Sequence, residues 1–195
     1  MMQRRTLLAG ALAALALPGN ARAQPYGLGP DGATISYTFT LGGIPVTGTV
    51  PIERADLSID RRNLAASTAD VIADVRRART GMMLATEALK SDSVLAAAAF
   101  PLARFRSTRV TLGAQGRMSD GATLDGLLTL RGVTREARFD AHLFRPAGRA
   151  AHEHDRLNVR LNGTVNRHDF GARGYSDLVG DSVHIEIKAQ IETTL

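Results

Sequence analysis

Side chains alternate between apolar and polar along most of this chain. A period of two suits antiparallel strands with one buried face and little else. Residues 33–41, ATISYTFTL, put Ile35, Tyr37, Phe39 and Leu41 on one side and Thr34, Ser36, Thr38 and Thr40 on the other. Gly42-Gly43 follows, a pair suited to the positive φ angles of a two-residue hairpin. The apolar positions resume at Ile44, Val46, Val50 and Ile52, so Leu41 should face Ile44 and one apolar face should run across the turn. The same habit recurs at Ala55, Leu57 and Ile59, at Ala69, Val71, Ala73 and Val75, and at Ala137, Phe139, Ala141 and Leu143. It returns at Leu157, Val159, Leu161 and Val165 and again at Val183, Ile185, Ile187, Ala189 and Ile191. With strands near 102–111 and 123–130, about eight to nine strands are expected. The fold class is all-β, an eight-stranded antiparallel barrel.

One stretch breaks the pattern. Residues 80–90, TGMMLATEALK, open with Thr80 as a possible N-cap and hold strong helix formers. Residues 91–99 could add a second short helix ended by Phe100-Pro101. A short helical insertion near residues 80–99 is therefore expected. Met82, Met83, Leu84 and Leu89 suit packing onto a core, but in a barrel such a helix can also cover the mouth.

The ends and the composition bound the rest. Arg4 and Arg5, an apolar run over 7–17 and Ala21-Arg22-Ala23 form a cleavable export signal over residues 1–23, leaving residues 24–195 as one domain. Arg4-Arg5 before Thr6-Leu7-Leu8 resembles a twin-arginine signal, and the general secretory route uses basic starts too. Either route points to the periplasm. The chain has no cysteine, so neither a disulfide framework nor a lipoprotein anchor is available. The formal charge is +5, but losing Arg4, Arg5 and Arg22 with the signal leaves +2, and the arginines are scattered, so no nucleic-acid partner is expected. No stable membrane insertion is expected either. No later segment has the roughly 20 apolar residues of a membrane helix, and an outer-membrane barrel would need an aromatic girdle, whereas the chain has no tryptophan and three tyrosines.

Catalytic motifs are missing. There is no GxSxG, no SxxK with its partners and no cysteine nucleophile. Gly27-Leu-Gly29-Pro-Asp-Gly32 matches a dinucleotide fingerprint letter for letter, yet a strand follows it where a phosphate cradle needs a helix N-terminus. His152-Glu153-His154-Asp155 has ligand types, but His142, His168 and His184 stand at no spacing that completes a zinc set. The segment reads as a polar connection between strands ending near Phe144 and starting near Arg156. No metal site, no catalytic residue and no cofactor are assigned. Small residues on the apolar faces, among them Gly48, Ala69, Ala73, Ala141 and Gly163, would open space between Phe39, Phe105 and Phe139. Ordinary core packing is the plain alternative.

Three segments in order resemble the YceI family of bacterial polyisoprenoid-binding, lipocalin-like proteins. The first is residues 89–110, LKSDSVLAAAAFPLARFRSTRV, similar to that family's helix end followed by Phe-Pro and a Phe-x-Ser strand. The second is residues 124–143, LDGLLTLRGVTREARFDAHL, similar to its Gly-x-Leu-Thr-Leu-x-Gly-Val-Thr hairpin. The third is residues 166–192, NRHDFGARGYSDLVGDSVHIEIKAQIE, similar to its Arg-x-Asp-Phe-Gly loop and closing strand. Gly32-Ala33 stands where the family usually has His-Ser, Leu41 precedes Gly42 where it has a histidine, and SDSVLAAAA replaces an aromatic-rich stretch. These departures bear on the ligand more than on the fold.

The resemblance implies a lipocalin-like barrel whose apolar tunnel holds a long-chain isoprenoid, such as a polyprenyl phosphate or the tail of an isoprenoid quinone, in a periplasmic homodimer that is not an enzyme. Tyr37, Phe39, Phe105, Phe139 and Leu161 from strands and Met83 from the helix are the expected lining. Arg167, Asp169 and Tyr175, with Arg79, are head-group candidates by residue type and loop position. The competing expectation is an enzyme on the same barrel, hydrolase-like or metal-assisted.

Overall fold

The computed structural model describes residues 23–116, 120–146, 148 and 155–194. Eight long strands close a barrel: β1 (Gln24–Leu41), β2 (Ile44–Ile59), β3 (Thr68–Asp74), then β5 (Leu102–Leu112), β6 (Ala122–Leu130), β7 (Val133–Phe144), β8 (Arg156–Asn166) and β9 (Ser182–Thr193). A two-residue strand, β4 (Arg79–Thr80), and one helix, α1 (Met83–Lys90), lie in the connection from β3 to β5. Round the barrel the order is β1-β9-β8-β7-β6-β5-β3-β2, and β2 pairs back to β1, all antiparallel. The barrel with one short helical insertion is thus the architecture expected from the alternation.

Where the alternation changed parity, the strands are bulged, not broken. Ile52 pairs with Ala73 but Arg54 pairs with Ile72, so Glu53 is an extra residue within one 16-residue β2. That insertion moves the inward set from Val50 and Ile52 to Ala55, Leu57 and Ile59, joining two runs that look separate in sequence. β5 does the same around Thr108, turning Phe105 and then Val110 inward. The Gly27 to Gly32 stretch lies inside β1, as an irregularity between Leu28 and Ala33 with Gly32 at φ +66°. It precedes no helix.

The predicted Gly42-Gly43 hairpin forms, and the structure adds a second two-residue hairpin at Arg131-Gly132. Gly42 and Gly43 take φ of +57° and +80° with Leu41 opposite Ile44, and Arg131 and Gly132 take +52° and +72° between β6 and β7.

The 91–99 helix does not form. The Ser91 amide and hydroxyl both donate to the Ala88 carbonyl, the Leu95 amide to Leu89 and the Ala97 amide to Lys90, so the segment folds back as turns that satisfy the C-terminal carbonyls of α1. Ala96, at φ +47°, marks the reversal. Nor is Thr80 the N-cap: it belongs to β4, Met82 holds that place, and the Thr80 hydroxyl accepts from the Met82 amide at 3.1 Å.

The two ends of the barrel differ. At the end away from α1, Tyr26, Ile59, Leu157 and Ile191 form a buried cluster, with Leu64 of the 60–67 connection packed against it. At the α1 end lie α1, the turns after it, both hairpins and the 167–181 connection.

Candidate functional site

The inward faces of all eight long strands enclose one apolar cavity of about 550 Å³, within the ~300–1,000 Å³ common for small-molecule sites. Ile35, Tyr37 and Phe39 of β1, Phe105 of β5, Leu124 and Leu128 of β6, Phe139 of β7, Leu161 of β8 and Ile185 and Ile187 of β9 line it. Leu84, Ala85, Ala88 and Leu89 bring one side of α1 to the same space. The strands' other faces carry Thr38, Thr47, Asp70, Arg104, Arg138, Glu186 and Lys188, many in hydrogen bonds or ion pairs. Apolar inside and polar outside is the reverse of a barrel that faces lipid.

The glycines expected to open space act otherwise. Tyr37 lies opposite Gly48 and Phe139 opposite Gly163, and in each case the ring occupies the place where the glycine's side chain would begin. Phe105 uses Gly126 in the same way. The missing side chains let three rings lie against the wall, and Phe105 and Phe139 then meet edge to face at 5.1 Å.

Tyr37 also ties the barrel to the α1 connection. Its hydroxyl donates to the Arg79 carbonyl at 3.0 Å, and burial pushes its pKa above the ordinary tyrosine value. The proton is retained and the hydroxyl is spent on structure.

Arg167 is buried, and its guanidinium donates to four main-chain carbonyls: Ala172 at 2.8 Å, Gly174 at 2.8 Å, Val179 at 3.0 Å and Gly180 at 3.1 Å. It touches the cavity wall but has been consumed in shaping the 167–181 connection. The same motif explains itself next door: Phe170 is 1% exposed in the core, and Gly171 ends the 3-10 turn at φ +74°. The shaped loop docks on its neighbours. The Gly180 amide donates to Thr40, the Gly42 amide to Leu178 and the Gly174 amide to Ser93.

Seven of the nine expected ligand residues border the cavity: Tyr37, Phe39, Phe105, Phe139, Leu161, Arg167 and Tyr175. Met83 and Asp169 do not. Met83 is 81% exposed on the outer side of α1, and its neighbours Met82 and Leu84 reach the cavity instead. Asp169 is exposed on the 3-10 turn whose buried members are Arg167 and Phe170. A helix this short turns only one side inward, and one position decides which.

Few polar groups touch the wall. Arg104 borders it by position, but its side chain turns outward to Asp70, whose carboxyl it holds below the usual carboxylate range, and Arg167 is bonded as above. Ser67, Thr68 and His142 sit toward the far end. Among the described residues no group of three or more His, Asp or Glu is placed to hold a metal. His152, Glu153 and His154 lie outside the described residues, as do residues 1–22 of the expected export signal. No described helix is long and apolar enough to cross a membrane.

The opening is at the α1 end. There Met82, Leu84, Tyr175 and Leu178 border the cavity and are themselves exposed, whereas Leu157 and Ile191 at the opposite end are fully buried.

The same architecture occurs in solved structures. Burkholderia cenocepacia BcnA superposes with a TM-score of 0.70 at 16% identity, covering 83% of this chain and 96% of its own. A polyisoprenoid binding domain from Saccharophagus degradans, implicated in plant cell wall breakdown, gives 0.60 at 12% identity over 88% and 99%. A UPF0312 protein of Vibrio parahaemolyticus is 27% identical over 190 residues, 95% of this chain and 98% of its own. The YceI-like domain matches residues 26–191, all eight long strands and the α1 connection between them, and the chain therefore belongs to the YceI-like family.

Proposed function

We propose that the protein is a non-enzymatic carrier or sequestering protein of the periplasm, holding one isoprenoid-type lipid in the barrel. The observation that carries this reading is the continuous apolar interior, its lining most exposed beside α1, with the buried Tyr26, Ile59, Leu157 and Ile191 cluster at the other end. Burying a CH₂ is worth about 0.8 kcal/mol, so a chain of several prenyl units needs no special chemistry to bind. The Saccharophagus degradans neighbour, named for polyisoprenoid binding, supports the ligand class. Because Arg104 turns outward to Asp70 and Arg167 is already bonded, an uncharged head group such as a quinone suits the interior better than a phosphate. Export after loss of residues 1–23, and work as a homodimer, belong to the same reading.

Native mass spectrometry of the mature protein from its own periplasm, followed by organic extraction, tests it. The expected result is one prenyl lipid per protomer. Protein without lipid that also fails to take up purified prenyl lipids, and that retains one zinc per chain, would favour a metal-assisted enzyme.

A further inference from the structure

Three consecutive apolar residues, Met82, Met83 and Leu84, stand exposed at the cavity's opening, Met83 at 81% and Leu84 at 84%. α1 itself has no buried residue. Packing does not account for such a run, because each of these side chains leaves half or more of its surface in water. Leu178, across the opening, and Ile44 of the β1–β2 hairpin extend the apolar rim. The two belong to one ring, because the Gly42 amide of that hairpin bonds to the Leu178 carbonyl.

The charges just before this run are basic. Arg76 is held by Asp74, and Lys90 matches Glu87 within α1, whereas Arg77, which acts on Asp74 only at longer range, and Arg79 are exposed and within 4 Å of no described carboxylate. Exposed apolar side chains next to exposed arginines suit an anionic lipid surface. Met82 and Leu84 also border the cavity, so a bilayer meeting this rim would be continuous with the apolar interior.

We propose that the rim formed by α1 and the β4 segment is a membrane-contact surface. Met82, Met83 and Leu84 enter the acyl boundary of an anionic bilayer, and Arg77 and Arg79 meet its head groups. A lipid can then pass between bilayer and barrel without crossing water, a consequence that rests on the carrier reading above.

The test is co-sedimentation of the full mature protein with vesicles of phosphatidylethanolamine and phosphatidylglycerol, against vesicles of phosphatidylcholine alone. Wild-type protein should partition to the anionic vesicles, less so as salt rises. Met83→Glu should weaken this by about tenfold or more. The double substitution Arg77→Ser and Arg79→Ser should remove the preference for anionic vesicles. Thermal unfolding checks that each variant is folded, and two unrelated substitutions keep the test decisive if one is not. Wild-type protein that ignores both vesicle types would overturn the proposal. So would Met83→Glu protein that binds as wild type, or a dimer that Met83→Glu splits while vesicles go unbound, since the rim would then join two copies. Uptake of a fluorescent prenyl probe, measured without vesicles, separates the two readings. Vesicle binding without probe uptake defeats the carrier and leaves the contact surface standing. Probe uptake without vesicle binding does the reverse.

Discussion

Phe139 on β7 and Gly163 on β8 are directly paired, and the phenyl ring fills the place where a side chain at Gly163 would start. A β-carbon there would lie 2.6 Å from the Phe139 ring and 2.7 Å from the Arg138 carbonyl oxygen. Replacing glycine by alanine within a regular element normally gains about 0.5–1 kcal/mol through the unfolded chain. Here the clash involves backbone as well as the ring, so Gly163→Ala should destabilise by about 1–3 kcal/mol. A urea midpoint that falls meets this expectation, and one that rises refutes it.

Arg167 holds four carbonyls of one connection. A lysine is a point charge without the planar fork, and it cannot reach all of them. Arg167→Lys should lose about 3 kcal/mol or more, because each stranded buried carbonyl costs about 1–3 kcal/mol. Hydrogen exchange locates the damage. The Gly180 and Gly42 amides, which join this connection to Thr40 and Leu178, should lose protection first, with the Tyr26–Thr193 pairing at the far end of the barrel unaffected.

Tyr37 lines the cavity, yet its hydroxyl is bonded to the Arg79 carbonyl. Tyr37→Phe should therefore cost about 0.5–1.5 kcal/mol of stability and change the affinity for a prenyl probe by less than about fivefold. A larger loss of affinity with stability intact would mean that the hydroxyl binds ligand.

Asp74 and Asp70 predict the acid limb of stability. The Arg76 guanidinium hydrogen-bonds the Asp74 carboxylate at 2.9 and 3.0 Å and holds its pKa low, and Arg104 does the same for Asp70. The unfolded carboxyl takes up its proton near pH 3.9, roughly, before the folded one does. This share of stability is thus fully present above that pH and is lost as pH falls through the lowered folded values. Asp74→Asn and Asp70→Asn should each flatten the dependence of melting temperature on pH between about pH 5 and pH 2.

The barrel was legible because alternation survives wherever one face is buried, as at 33–41 and 183–191. The bulges were not. An inserted Glu53 looks like the end of one strand and the start of another, and the Thr108 bulge inside the expected 102–111 strand leaves no mark in composition; only the partner strand shows each. Residues 91–99 carry a run of alanines that favours helix locally, and the unmet carbonyls at the end of α1 outweighed it. At the site, the aromatic lining followed from parity, but Met83 and Leu84 differ by one helical step that composition cannot resolve. Arginine at 167 invites a head-group role by type. Its four carbonyl partners lie 5 to 13 positions along the chain and meet it only after the connection folds. Gly48 and Gly163 read as empty space, whereas each is the seat of a ring from the next strand.

In the proposed carrier role, the barrel's interior binds a hydrocarbon chain along its length. Isothermal titration with prenyl alcohols of increasing chain length tests it most directly. At about 0.3 kcal/mol per buried non-hydrogen atom, each five-carbon unit should add about 1.5 kcal/mol, roughly tenfold in affinity, until the cavity is full and the gain stops. Affinity that does not change with chain length, in protein shown to be folded and free of bound lipid, would contradict the claim.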